Sequence, residues 1–228
     1  MIDFYTWTTP NGRKVAIMLE ECGLAYTVHP VNISMNQQFE PNFLKISPNN
    51  KIPAIVDRET GTTVFESGAI LLYLADKTGK LLSKDPAKRS DALQWMMVQM
   101  TSIGPMSGQV VHFSKFAPKG NDYALSRFKT ELNRLWDVHE ARLAKSPYIG
   151  GDDYSIADIA LYPWLRNYDF IGMSLEGRPA IQKYIDTITA RPAVQKMLAI
   201  LPTIRSSRET ASDEDKDRLF GRGRYARV

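Results

Sequence analysis

Apolar positions fall into two regimes along this chain. Up to about residue 79 they come in short bursts separated by turns. Residues 2–6, with Ile2 and Phe4 inward, predict a buried strand that closes at a Thr-Pro corner. From Asn11 the positions Val15, Met18, Leu19 and Cys22 recur at helical spacing, predicting a helix that stops at Gly23. "AYTVHPVNI" predicts a second strand, and its internal Pro30 restricts it to an edge or a bulge. A polar stretch from Ser34 to Lys45 carries the chain across to "IPAIVD", the third strand, with "TTVF" after Gly61 as its hairpin partner. "ESGAILLYLADKTG" then reads as a helix of about three turns ending at Gly79.

That order, βαβ followed by ββα, predicts a four-stranded mixed sheet with helices, its parallel pair joined by a right-handed crossover. Beyond Asp85 the pattern is helical: Ala87 to Phe113, Tyr123 to Ala144, Ile156 to Tyr168, and Pro179 to Arg191 with a continuation from Pro192. Leu125, Phe128, Leu132, Leu135 and Trp136 form one apolar stripe. The expected organisation is an α/β domain over residues 1–79, a linker at 80–86, an all-α bundle over 87–205 and a charged tail at 206–228. No internal repeat is visible.

Composition narrows the function classes. Of 228 residues, 43% are hydrophobic and 24% charged, which suits a globular chain, and no apolar run is long enough to span a bilayer. The N-terminus lacks the features of a secretory signal, and a single cysteine, Cys22, excludes an internal disulfide; both predict a cytoplasmic protein. The net charge of +4 is spread among 25 acids with no basic aromatic face, so a nucleic-acid partner is not expected; such a mildly cationic surface would suit small anionic ligands equally well. His29, His112, His139 and Cys22 share no metal-ligand spacing, so no metal is expected.

Four local signals stand out, three of them with a chemical reading beside an ordinary alternative and one purely structural. In "KIPA", a cis Ile52–Pro53 bond would turn the backbone N–H and C=O of Ile52 toward an extended ligand; the alternative is an edge strand beginning at proline. In "FES", Glu66 and Ser67 stand where a helix's first-turn donors attract an anion; the alternative is a plain N-cap. In "SIAD", Ser155 and Asp158 form a capping box, a structural feature whose loss predicts about 1 kcal/mol of destabilisation. At the corner "TWTTPNGRK", Thr8, Thr9 and Asn11 offer hydrogen bonds to an anion but no group titrating near neutrality; the alternative is capping by Thr9 with Pro10 in the first turn.

In combination these features resemble the cytosolic glutathione transferases, a thioredoxin-like domain joined to a helical bundle, over residues 1 to about 200. "TPNGRKV", "QFEPNFLKISPNNKIPAIVD", "FESGAILLYLADKTG", "IGPM" and "YIGGDDYSIADIA" look like the bacterial nu class and its fungal nitrogen-regulator relatives. The resemblance implies a glutathione-dependent disulfide-bond oxidoreductase with weak conjugating activity, acting as a homodimer. It places Thr9 and Asn11 beside the glutathione sulfur, Gln38 and Lys51 near the glycine end, and Ile52 on the cysteinyl backbone. Glu66 and Ser67 take the γ-glutamyl end, and Arg127 of "YALSRFK" comes from the helical domain. Two further readings stay open: a transferase or peroxidase that uses the same thiolate, and a non-catalytic module of regulatory or scaffold type that only binds glutathione.

Overall fold

Strand β1 (Ile2–Thr6) alternates buried Ile2, Phe4 and Thr6 with half-buried Asp3 and Tyr5, the period-two signature of a strand whose faces differ. The computed structural model describes residues 1–200 together with Ser212, Glu214 and Asp217, and β1 lies inside a four-stranded sheet. β2 (Tyr26–Pro30) pairs with it in parallel and β3 (Ala54–Asp57) antiparallel, while β4 (Thr62–Phe65) closes the far side, giving the order β2-β1-β3-β4. The mixed sheet is the one expected. Pro30 ends an edge strand, where the missing N–H leaves no ladder bond broken.

Helix α1 (Pro10–Cys22) makes the crossover from β1 to β2. Thr9 caps its start, and Gly23, at φ 69°, ends it in the left-handed conformation that glycine adopts without penalty. The polar stretch that carries the chain across holds two 3₁₀ turns, Ile33–Met35 and Gln37–Phe39, and the short α2 (Pro41–Leu44). Its buried Phe43 packs with Val31 and Ala54, which is why the segment is ordered. α3 (Ser67–Thr78) buries Ile70, Leu71 and Leu74 completely.

The chain divides into two compact units, Met1–Leu74 with the segment from Lys196, and Ala75–Gln195. In the first unit, the end of α10 (Pro192–Ile200) returns to α1: Met197 is buried, and Lys196 Nζ lies 3.4 Å from the Glu20 carboxylate. The tail at 206–228 falls outside the described residues except at Ser212, Glu214 and Asp217.

The second unit is helical among the described residues. The helix expected over 87–113 is α4 (Pro86–Val98) and α5 (Gly104–Val111), joined by a π turn at Gln99–Ile103 and followed by another at His112–Phe116. The first has a local cause: Pro105 has no N–H to donate, and the ladder widens so that Gly104 N–H reaches Gln99 O. α6 (Asp122–Leu143) buries Leu132, Leu135, Trp136, His139 and Leu143 along one face.

α7 (Ile156–Leu165) is capped by Ser155 and Asp158 as expected, then gives way to α8 (Tyr168–Ile171) and, further on, to α9 (Pro179–Thr189). Asp158 does more than cap. Its buried carboxylate accepts from Ile149 N–H at 2.8 Å, Ser155 N–H at 2.9 Å, and the hydroxyls of Ser155 and Tyr184, both at 3.1 Å. A cost of about 1 kcal/mol for its removal is therefore too small, because deletion strands several buried donors.

Candidate active site

The sheet register gathers the predicted residues of the first unit at one end. Tyr5 pairs with Ala54, and Ala54 with Phe65, so the exit of β1, the entry to β3 and the exit of β4 share that end. The heads of α1 and α3 follow directly from two of these, bringing first-turn backbone donors and the positive ends of two helix dipoles to the same place.

At the first head, Thr9 is 8% exposed and its hydroxyl oxygen accepts from Gly12 N–H at 3.2 Å, so the ordinary capping role is real. A hydroxyl that accepts still has its proton to donate. Asn11 is half-buried in the first turn. Gly12 lets this turn approach the strand: a Cβ there would stand 2.4 Å from Thr6 Oγ1 and 2.5 Å from the Trp7 carbonyl. Trp7 packs on Ile33 with Val28 and Ile52, while its Nε1 and the Thr8 hydroxyl are buried without hydrogen-bonding partners among the described residues.

At the entry to β3 the Ile52–Pro53 bond is cis. The Ile52 side chain packs against two apolar groups, Trp7 with Ile33 and Val31 with Phe43 and Ala54. Lys51 is exposed, and its carbonyl accepts from the Ser47 hydroxyl at 2.8 Å.

The second head departs from a plain N-cap. Glu66 has φ 69°, a left-handed conformation that costs a non-glycine residue of order 1 kcal/mol. Its carbonyl accepts from Ile70 N–H at 2.9 Å, while its exposed carboxylate accepts from Asn49 Nδ2 at 3.1 Å. Ser67 is 5% exposed and accepts from Lys14 Nζ at 3.3 Å. Lys14 is itself buried, which pushes its ammonium down to about 7, and the Glu66 carboxylate partly opposes that.

Gln38 is 3% exposed in the second 3₁₀ turn, with its Oε1 unpartnered among the described residues, so it is a buried side chain. Arg127 belongs to the helical unit, exposed on α6; the hydrogen bond from Arg134 holds the nearby Glu131 carboxyl down, and the Arg127 charge adds a smaller share. Lys14 and Asn49 are absent from the sequence-predicted set. Lys14 had a signal: with Met18 and Cys22 it falls at four-residue spacing along the apolar stripe of α1. Asn49 had none, because its contact spans 17 positions in the chain.

Among the described residues no group of three or more His, Cys, Asp or Glu is placed to hold a metal ion, and no helix is long and apolar enough to cross a membrane. The arrangement is chemically suited to an anion: two helix heads, hydroxyl and amide donors, a buried lysine, and one carboxylate suited to an ammonium.

Comparison with known proteins identifies the family. The glutathione S-transferase N-terminal domain model matches residues 8–77, and the C-terminal domain model matches residues 122–187. The disulfide-bond oxidoreductase YfcG of Escherichia coli is 45% identical over 203 residues, 87% of this chain and 94% of that protein. A crystal structure of a glutathione transferase family member from Pseudomonas fluorescens, with two glutathione bound, is 44% identical with a TM-score of 0.81, covering 86% of this chain and 92% of that one. A glutathione transferase from Pseudomonas putida, with one glutathione disulfide bound per subunit, is also 44% identical with a TM-score of 0.81, covering 87% and 91%. This chain is a member of the glutathione S-transferase family of enzymes.

Proposed function

We propose that this protein is a glutathione-dependent disulfide reductase whose nucleophile is the ligand's own sulfur. The observation that carries the reading is the head of α1, where Thr9 and Asn11 supply donors but no titrating base and no cysteine. The relatives' names and bound ligands support it: a disulfide-bond oxidoreductase, two glutathione molecules, and glutathione disulfide.

A free thiol with pKa about 8.5 is only a few per cent thiolate at neutral pH, and the thiolate is the attacking species. Lowering that pKa by two requires about 2.7 kcal/mol of preferential anion stabilisation. Hydrogen bonds to a charged group contribute about 1.5–3 kcal/mol each, so two donors and a helix dipole suffice. In this reading Thr9 and Asn11 hold the sulfur, the Ile52 backbone pairs with the cysteinyl unit, and Lys51 and Gln38 serve the glycine end. The Glu66 carboxylate takes the γ-glutamyl ammonium, and Ser67 the adjoining carboxylate. For Arg127 the assignment rests on the family resemblance alone.

The reaction balances without a further reagent. The bound glutathione thiolate attacks one sulfur of the substrate disulfide, forming a mixed disulfide and expelling the other half as a thiolate, which takes up a proton. A second glutathione thiolate attacks the glutathione sulfur of that mixed disulfide. Glutathione disulfide and the second substrate thiol leave, so two glutathiones are oxidised per disulfide reduced.

The same reading makes the protein a homodimer, testable by sedimentation velocity. It also assigns the chain to a reducing cytoplasm, in keeping with its one buried cysteine, Cys22. The test of function is a pair of rates with glutathione, one on hydroxyethyl disulfide and one on a chloronitrobenzene electrophile. Faster disulfide reduction supports the proposal. Faster conjugation makes the protein a conjugating transferase, and binding without either rate makes it a ligand-binding module.

A further inference from the structure

Lysine side chains ordinarily keep their ammonium in water, and burying one is unfavourable unless hydrogen bonds or charges compensate. Lys14 is 1% exposed, in the second turn of α1, and its Nζ lies 3.3 Å from the hydroxyl oxygen of Ser67. That bond joins α1 to the first residue of α3, directly behind the helix head described above. An ammonium has donors only, so Ser67 is the acceptor in this contact and its own proton points elsewhere.

We propose that Lys14 is a positioning residue for the ligand's γ-glutamyl carboxylate: it fixes Ser67 as a hydrogen-bond donor toward that carboxylate and sets a buried positive charge behind it. The inference rests on the reading of Glu66 and Ser67 given under Proposed function and adds a residue to it. Burial lowers the Lys14 pKa to about 7, with Glu66 opposing, so the ammonium is only partly populated near neutrality and an arriving carboxylate favours its protonated form. At low local dielectric a charge one side chain away from the ligand acts more strongly than on the surface. A buried lysine retained only for packing would be better replaced by an apolar side chain of the same length.

The test uses Lys14→Met, which keeps the length and removes the charge, with titration calorimetry on two ligands. One is glutathione; the other is its analogue lacking the γ-glutamyl α-carboxylate. The expected result is a tenfold or greater loss of affinity for glutathione, less than a twofold change for the analogue, and a melting temperature equal to or above wild type. In a Ser67→Ala background the Lys14→Met change should cost little more glutathione affinity, because Lys14 acts through that hydroxyl. Equal losses for both ligands would reduce Lys14 to a structural role, and unchanged glutathione affinity would overturn the inference outright. Should Lys14→Met not fold, Lys14→Gln with the same two ligands decides. Wild-type protein that binds no glutathione would sink the functional reading itself, a separate outcome.

Discussion

Asn49 Nδ2 donates to the Glu66 carboxylate across 3.1 Å, tying the loop before β3 to the residue immediately before α3. Both residues are exposed, so the bond adds little to folding. Its consequence is positional: it holds an acid where an ammonium is expected to arrive. Asn49→Ala should leave stability within about 0.5 kcal/mol of wild type. It should weaken glutathione binding about threefold, the usual size of one exposed polar contact. Calorimetry with a parallel melting curve checks this, and unchanged affinity would remove Asn49 from the site.

The left-handed backbone at Glu66 separates strain from chemistry. Glu66→Gly and Glu66→Ala both delete the carboxylate, but only alanine keeps the steric penalty of φ 69°. The glycine variant should be the more stable of the two by about 1 kcal/mol, while both lose glutathione affinity alike. Urea denaturation and calorimetry on the pair give both quantities. A glycine variant no more stable than the alanine one would mean that the conformation is not costly here.

Gly12 is the narrowest point of the corner. Its added Cβ would meet Thr6 Oγ1 and the Trp7 carbonyl at 2.4 and 2.5 Å, and the carbonyl cannot swing aside as a side chain can. Gly12→Ala should destabilise by about 1–3 kcal/mol, the range for overpacking, and should impair disulfide reduction because Thr9 and Asn11 ride on the same turn. Denaturation curves and the hydroxyethyl disulfide rate check it. Full stability with full activity would show that the turn has room to spare.

Asp158 offers a test by pH. Burial pushes its carboxyl up to about 6 from 3.8, while the Ile149, Ser155 and Tyr184 donors pull it down. With the folded value above the unfolded one, the folded state keeps a proton between about pH 4 and 6 that the unfolded chain has released. The group's contribution to stability is therefore full below pH 4 and declines as pH rises through that window. Against Asp158→Asn, which does not titrate, the wild-type stability advantage should shrink from pH 4.5 to pH 7 in urea denaturation. An advantage that grows with pH would mean that the four donors keep the group ionised throughout.

Much of this was readable from one-dimensional spacing. β1, α1 and α3 announced themselves because period-two and period-3.6 apolar patterns record which face is buried, and Pro10, Gly23 and Gly79 mark helix ends by local rules. Ser155 and Asp158 were legible as a cap, since both partners lie within one turn, but the donors from Ile149 and Tyr184 were not. The π turn at Gln99–Ile103 was missed because the apolar pattern continues through it, although Pro105 carried its cause. At the candidate site, Thr9, Asn11, Ile52, Glu66 and Ser67 were readable as types at helix heads and a strand entry. The Lys14–Ser67 and Asn49–Glu66 contacts depend on how strands fold back on one another, which no local pattern records.

The reading stands or falls on the ionisation of a borrowed sulfur. Glutathione bound to the wild-type protein can be titrated through the ultraviolet absorbance of its thiolate, with Thr9→Ala and Asn11→Ala alongside. The bound thiol should ionise near pH 6.5, about two pH units below the free thiol. Each substitution should move it back toward 8.5, Asn11→Ala further than Thr9→Ala. A bound thiol that titrates like free glutathione in the wild-type protein would refute the thiolate cradle.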